Sequence, residues 1–133
     1  GAEFLMLGNL DPTIQKKVIE QLIIRPKLIV MDTMNFWMEI AMPQLEETLK
    51  LVDVLMVNDS EARQLSGEFS LVKAAKEIIK MGPKYLIIKK GEHGALLFHG
   101  ENVWCLIQRE PGILLPVALL VILQKQATFP LRI

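Results

Sequence analysis

Apolar positions along this chain fall into short unbroken runs, separated by stretches in which they recur at helical spacing. Residues 4–7, 28–31, 54–57 and 85–88 are runs of four, each leading into polar residues or glycine. Unbroken runs of this length suit parallel strands buried on both faces. Between the first two, Asp11 and Pro12 open a helix, with Asp as N-cap and Pro in the first turn. Ile14, Val18, Ile19 and Leu22 repeat along it at helical spacing, and Pro26 closes it. Residues 34–37, Met-Asn-Phe-Trp, read as a polar-aromatic loop. Residues 43–51 read as a helix with Leu45, Leu49 and Val52 on one face. Ser60 caps a short helix that stops at Gly67. Ser70 caps another, which turns Ala74, Ala75, Ile78 and Ile79 inward until Gly82-Pro83 stops it. Residues 95–98 pair back after a tight turn, and 103–105 add one more strand. The resulting order, β-α-β-α-β-α-α-β-β, predicts a doubly wound, mostly parallel α/β sheet with an antiparallel edge. Four strand ends then converge on one side: Asn9, residues 32–35, Asn58 and residues 89–91. Open parallel sheets bind ligands on that side.

Composition narrows the reading. The 133 residues suffice for one domain, and 51% are apolar, enough for a real core. Lys plus Arg and Asp plus Glu are both 15, so no global basic field recruits nucleic acid or an anionic membrane. The single Cys105 excludes an internal disulfide and a cysteine-based metal cluster, which fits a reducing, cytoplasmic setting. His93 and His99 are too few for a zinc site, are expected to face solvent and receive no role. The first residues show no charged segment followed by an apolar one, so no secretory signal is expected. Residues 112–123 are almost entirely apolar, yet too short to span a bilayer and interrupted by Pro116.

The candidate chemistry sits at two strand ends. Asn58 and Glu61 are three apart at a strand-to-helix junction, where an amide and a carboxylate can face one crevice. Gly91 and Gly94 leave backbone N–H groups open to close approach by a ligand. Together they point to phosphate and magnesium chemistry. Plainer readings stand beside this one. Asn58 and Glu61 also suit a helix cap, and residues 91–94 suit a hairpin turn. Asp32 and Asn35 can simply close a strand and a turn. Phe36 and Trp37 suit packing, Lys73, Lys76, Glu77 and Lys80 a solvated helix face, and residues 113–123 a tail anchor or a partner-binding helix.

Taken in order, Asp32-Thr33-Met34-Asn35, Val52-Asp53-Val54, Asn58-Asp59-Ser60-Glu61-Ala62, Leu65-Ser66-Gly67 and Lys89-Lys90-Gly91-Glu92-His93-Gly94-Ala95 resemble the ribokinase-like (PfkB) carbohydrate kinases. The match runs over roughly residues 4–105. The resemblance implies a Rossmann-like fold and transfer of the ATP γ-phosphate to a hydroxyl of a sugar or nucleoside. It implies that Asn58 and Glu61 help hold Mg²⁺ and phosphate, and that Gly91 and Gly94 border the ATP, with Lys89 or Lys90 nearby. Asn9, Asp32 and Asn35 fall on the substrate side. Phosphoryl transfer is mostly positioning and charge neutralisation, so such groups suffice for it. Metal contact is expected to be indirect, and neither nucleic acid nor membrane is an expected partner. Family members often pair through a β lid, which leaves a homodimer open for an intact protein.

Two departures accompany the resemblance. The family's first strands, sugar-binding residues and lid have no counterpart here, so the chain reads as a fragment. Its Gly-Ala-Gly-Asp motif, whose Asp activates the sugar hydroxyl, is replaced by Glu110-Pro111-Gly112-Ile113, and no carboxylate follows Glu110. The catalytic base is therefore missing, and the chain as written is expected to be inactive. The genetic code suggests why. Residues 107–115 can be encoded as ATC CAA CGG GAG CCG GGG ATT CTT TTG; preceded by the final G of a Leu106 codon, the same bases read Asp-Pro-Thr-Gly-Ala-Gly-Asp-Ser-Phe. Residues 1–105 thus read as a partial kinase domain and residues 106–133 as an out-of-frame tail. The alternative reading is a non-catalytic nucleotide-binding or interaction module, and a third is a poorly soluble remnant without function.

Overall fold

The computed structural model describes residues 4–8, 10–107, 118, 119, 121 and 122. A six-stranded sheet runs through it in sequential order. Strands β1 (Phe4–Leu7), β2 (Leu28–Asp32), β3 (Val54–Asn58) and β4 (Tyr85–Lys89) are parallel. Strands β5 (Ala95–His99) and β6 (Asn102–Leu106) continue the sheet antiparallel. Helices α1 (Pro12–Glu20), α2 (Asn35–Ile40), α3 (Met42–Leu49), α4 (Asp59–Ser66) and α5 (Leu71–Lys80) make the crossovers. This is the mostly parallel α/β sheet with an antiparallel edge that the apolar runs predict.

The runs of β2, β3 and β4 lack alternation because both faces of these strands are covered, while edge strand β1 leaves Met6 exposed. Ile29, Met31, Leu55, Val57, Leu86 and Ile88 pack under the helices, with Leu45, Leu49, Ala62, Leu65 and Ile78 above them. Leu28, Val30, Val54, Met56, Tyr85 and Ile87 point the other way. Each crossover steps to the next strand in the same direction, so right-handed connections put α1 to α5 on one face. The opposite face is met by Ala118, Leu119, Val121 and Ile122, which are helical. Ala118 and Ile122 are fully buried there. The apolar tail shows no helical or strand pattern in sequence; four residues apart, these two share one helix face, and the sheet decides which face it is.

Three elements differ from the sequence reading. Residues 35–40 form α2 rather than a loop, because α2 has no side-chain cap that a sequence could advertise. In α1 the buried face is Pro12, Gln15 and Ile19, while Ile14 is half exposed. Helix α4 starts at Asp59, two residues before the expected start, because Asn58 and not Ser60 is the cap. The predicted caps Asp11 and Ser70 do accept from Thr13 and Lys73 backbone N–H groups. Gly67 ends α4 in the left-handed region.

The end of the sheet opposite the candidate site is tied by Asp53. Its carboxylate accepts from the Ile29 N–H and from Arg25 Nη2, both at 2.8 Å. Its backbone carbonyl accepts from the Lys84 and Tyr85 N–H groups. One residue thereby fixes β2, β3 and β4 at their starts, and so their relative stagger at the far end.

Candidate functional site

The C-terminal ends of β2, β3 and β4 lie side by side, and the register sets which residues meet. Asp32 pairs with Met56, and Asn58 pairs with Lys89. Asn58 ends β3 and caps α4. Its Oδ1 accepts from the Glu61 N–H at 2.7 Å, and Glu61 Oε1 accepts from the Asn58 N–H at 2.9 Å. This is a reciprocal capping box. The cap suggested by sequence and the carboxylate–amide pair suggested for ligand binding are thus one object. Glu61 is largely buried while Asn58 is exposed. The box uses one oxygen of each side chain; the Asn58 amide group and the other Glu61 carboxylate oxygen belong to the same strand end.

Beyond Lys89 the chain makes a single 3₁₀ turn over Gly91–His93. Gly91 and Gly94 have φ of 58° and 83°, the left-handed region in which glycine is unstrained. The turn is closed by Lys90 N–H donating to Gly94 O at 2.8 Å and Gly94 N–H donating to Gly91 O at 3.3 Å. The Gly94 N–H is therefore used within the turn, which corrects the expectation that both glycine N–H groups stay open. A four-residue turn that passes directly into a paired strand closes on itself, and the Gly94 donor is consumed in doing so. Gly91 is exposed, and a Cβ placed on it would meet nothing within 4 Å.

The remaining expected residues lie one strand over. Asp32 ends β2 half-buried, and Asn35 opens α2. Asn9 lies outside the described residues. Among the described residues, no group of three or more His, Cys, Asp or Glu is placed to hold a metal ion, and no helix is long and apolar enough to cross a membrane. His93 is exposed, as expected. His99 instead stacks on Tyr85 at 4.2 Å, with Nδ1 2.8 Å from Lys84 O. Phe36 and Trp37 pack edge to face, 4.9 Å apart.

Sequence reasoning missed Gln15. Its amide is fully buried, and Nε2 donates to Gly8 O at 2.7 Å and to Asp32 O at 3.2 Å. It lashes α1 to the ends of β1 and β2. The available signal was its spacing, three after Pro12 and four before Ile19, which puts a polar residue in the middle of an inward face.

The model of the pfkB family of carbohydrate kinases matches residues 2–111. The chain belongs to that family. Among solved structures it is similar to a PfkB protein from Polaromonas sp. JS666, with a TM-score of 0.65 and 16% identity over 84% of this chain and 42% of that one. It is similar to ribokinase from Thermotoga maritima, with a TM-score of 0.63 and 23% identity over 83% of this chain and 36% of that one. Adenosine kinase from Anopheles gambiae gives a TM-score of 0.64 and 21% identity over 84% of this chain and 38% of that one. These identities speak for the fold. The chain thus spans less than half the length of these neighbours. No curated protein sequence matches it.

Proposed function

We propose that this chain carries the nucleotide side of an ATP-dependent phosphotransferase that moves a γ-phosphate onto a hydroxyl of a sugar or nucleoside. Asn58 and Glu61 organise Mg²⁺ and phosphate; Lys89, Gly91 and Gly94 border the nucleotide; Asn9, Asp32 and Asn35 face the substrate. The observation that best supports this is the register pairing of Asn58 with Lys89, which joins the carboxylate–amide box to the strand that enters the glycine turn. An aminoimidazole riboside kinase from Salmonella enterica, similar in fold, was solved with aminoimidazole riboside and an ATP analogue. By that analogy a riboside and a nucleotide are the pair to test.

The residues fit a magnesium ion held mainly through water. Mg²⁺ keeps several waters and takes one or two carboxylates, and Glu61 offers one such group beside the Asn58 amide. When bound, the ion would neutralise phosphate charge, and the chain's own residues would orient the phosphates. The exposed Cys105 is a free thiol, compatible with a reducing cytoplasm.

The sequence carries no Gly-Ala-Gly-Asp motif, so no base for the acceptor hydroxyl is assigned. Pure chain is expected to bind Mg·ATP without turning over sugars or nucleosides; substantial phosphorylation by it would refute this. That same gap favours the second reading, a non-catalytic nucleotide-binding module. We read residues 106–133 as translated out of frame. Sequencing the gene from the Glu101 codon onward tests this, and bases that cannot encode Asp-Pro-Thr-Gly-Ala-Gly-Asp in the shifted frame would dispose of it.

The kinase reading is tested by ¹H–¹⁵N NMR of the full chain titrated with Mg·ATP. Amides of residues 58–61 and 89–94 are expected to shift together and saturably. Unmoved resonances at millimolar nucleotide would overturn it.

A further inference from the structure

Helix α5 and the β5–β6 hairpin flank an open cavity that the kinase reading does not use. Its volume is about 520 Å³, within the range of small-molecule sites. Helix α5 lines it with Lys73, Lys76 and Lys80, and the hairpin turn lines it with Gly100 and Glu101. A smaller pocket of about 110 Å³ adjoins it and shares Lys76, Ile79, Gly100 and Glu101 with it. Apolar side chains complete that pocket: Val72 and Ala75 from α5, Phe98 and Val103 from the hairpin. Phe98 pairs with Leu86 near the start of β4, so the turn lies at the end of the sheet opposite Asn58 and Lys89. In sequence the α5 charges read as a solvated helix face; the fold sets them beside an apolar slot.

The charges around the cavity are of both signs, and most are unpaired. Lys80 Nζ donates to Glu77 Oε1 at 3.2 Å, and these two neutralise each other. Lys73, Lys76, Glu68 and Glu101 line the same cavity, yet none of their side chains has an ion pair or hydrogen bond among the described residues. Lys76 and Glu101 border both pockets without pairing with each other. An anion entering here meets Glu68 and Glu101, and a cation meets Lys73 and Lys76; each loses to like charge what it gains from the opposite one. A molecule that carries both charges close together satisfies both. Beside them, the apolar pocket rewards burial of a hydrocarbon group.

We propose that this cavity binds a zwitterion with an apolar side chain, a free α-amino acid of the leucine type. Its carboxylate lies by Lys76 and Lys73, its ammonium by Glu101, and its side chain in the slot between α5 and the hairpin. Charge complementarity selects this occupant. The interior of a peptide carries no such adjacent charge pair, and a nucleotide or sugar phosphate brings only the sign that Glu68 and Glu101 repel. Lys73, Lys76 and Glu101 are exposed, so the affinity is weak, with a Kd of about 1 mM. The site stands apart from the β3–β4 end and does not rest on the kinase reading.

L-leucine is titrated into the full-length chain to about 20 mM, enough to read a millimolar Kd, and followed by ¹H–¹⁵N NMR. Amides of residues 72–80 and 98–103 are expected to shift saturably. Leucinamide, which lacks the carboxylate, and isocaproate, which lacks the ammonium, are expected to bind about fivefold more weakly. Lys76→Gln and Glu101→Gln then separate the two charges. Both side chains are exposed, so both variants are expected to melt within about 2 °C of wild type. K76Q should weaken leucine and isocaproate about fivefold without weakening leucinamide. E101Q should weaken leucine and leucinamide by as much without weakening isocaproate. A merely structural role for these residues does not produce that crossed pattern. The proposal is overturned if leucine leaves both segments unmoved, if either singly charged analogue binds as well as leucine, or if either variant binds leucine like wild type. Mg·ATP titrated into the same samples reads residues 58–61 and 89–94, and so tests the kinase reading separately.

Discussion

Glu61 holds two assignments in one side chain, and the two can be separated by a single atom. Its Oε1 accepts from the Asn58 N–H. A glutamine in its place still presents an oxygen to that N–H, since Gln serves at this position of a capping box as Glu does. Glu61→Gln should therefore change stability by no more than about 0.5 kcal/mol. Glu61→Ala, which loses the return bond of the box, should cost about 1 kcal/mol. Asp53 is the contrasting case, a carboxylate with a wholly architectural role. Asp53→Ala leaves the Ile29 N–H without its 2.8 Å partner and Arg25 without its ion pair. A loss of about 2–3 kcal/mol is expected, read as a lower urea midpoint at unchanged slope. The Asn58–Glu61 box was legible in sequence because its partners are three residues apart. The Asp53 clamp was not, because its partners lie 24 and 28 residues away and a lone Asp between valines carries no mark of them.

At the scale of elements, burial decided what could be read. Strands β2, β3 and β4 stand out because apolar pressure on both faces leaves no position for a polar residue in their runs. Helix α5 stands out because its Ser70 cap, its buried Ala74, Ala75 and Ile78 and its Gly82-Pro83 stop agree with one another. Helix α2 has none of these; tertiary contacts with α3 and α4 hold it, and local sequence does not announce them. In α1 the apolar periodicity and the buried face are out of phase, because Gln15 is drawn inward by two carbonyls while Ile14 is left half exposed. Gly82 offers a test of how the α5–β4 connection is built. It has φ of 144°, and a Cβ there would lie 2.7 Å from Lys50 Cα and collide with Leu49 O. Gly82→Ala should cost about 3 kcal/mol, combining backbone strain with a clash against backbone that cannot yield. A thermal melt within a degree of wild type would show that the α3 end and this turn are not in contact.

At the scale of the molecule, one sheet separates two kinds of cover. Helices α1 to α5 clothe one face, and the described tail residues Ala118 and Ile122 sit on the other. At the C-terminal edge of the sheet, the carboxylate–amide box and the glycine turn sit on the neighbouring ends of β3 and β4. Family and fold were readable because the motifs at the strand ends keep their order along the sequence. The closure of the Gly91–Gly94 turn on itself was not, since it depends on which backbone groups fold back to meet. The most direct test of the account is a thermal melt of wild type and E61Q, each with and without Mg·ATP. Ligand at about a hundred times its Kd adds about 2.7 kcal/mol to a protein that binds it only when folded. Without ligand the two melting temperatures are expected to lie within about 2–3 °C; with Mg·ATP a clear rise is expected for wild type and a much smaller one for E61Q. Equal rises for both chains, or none for either, would contradict it.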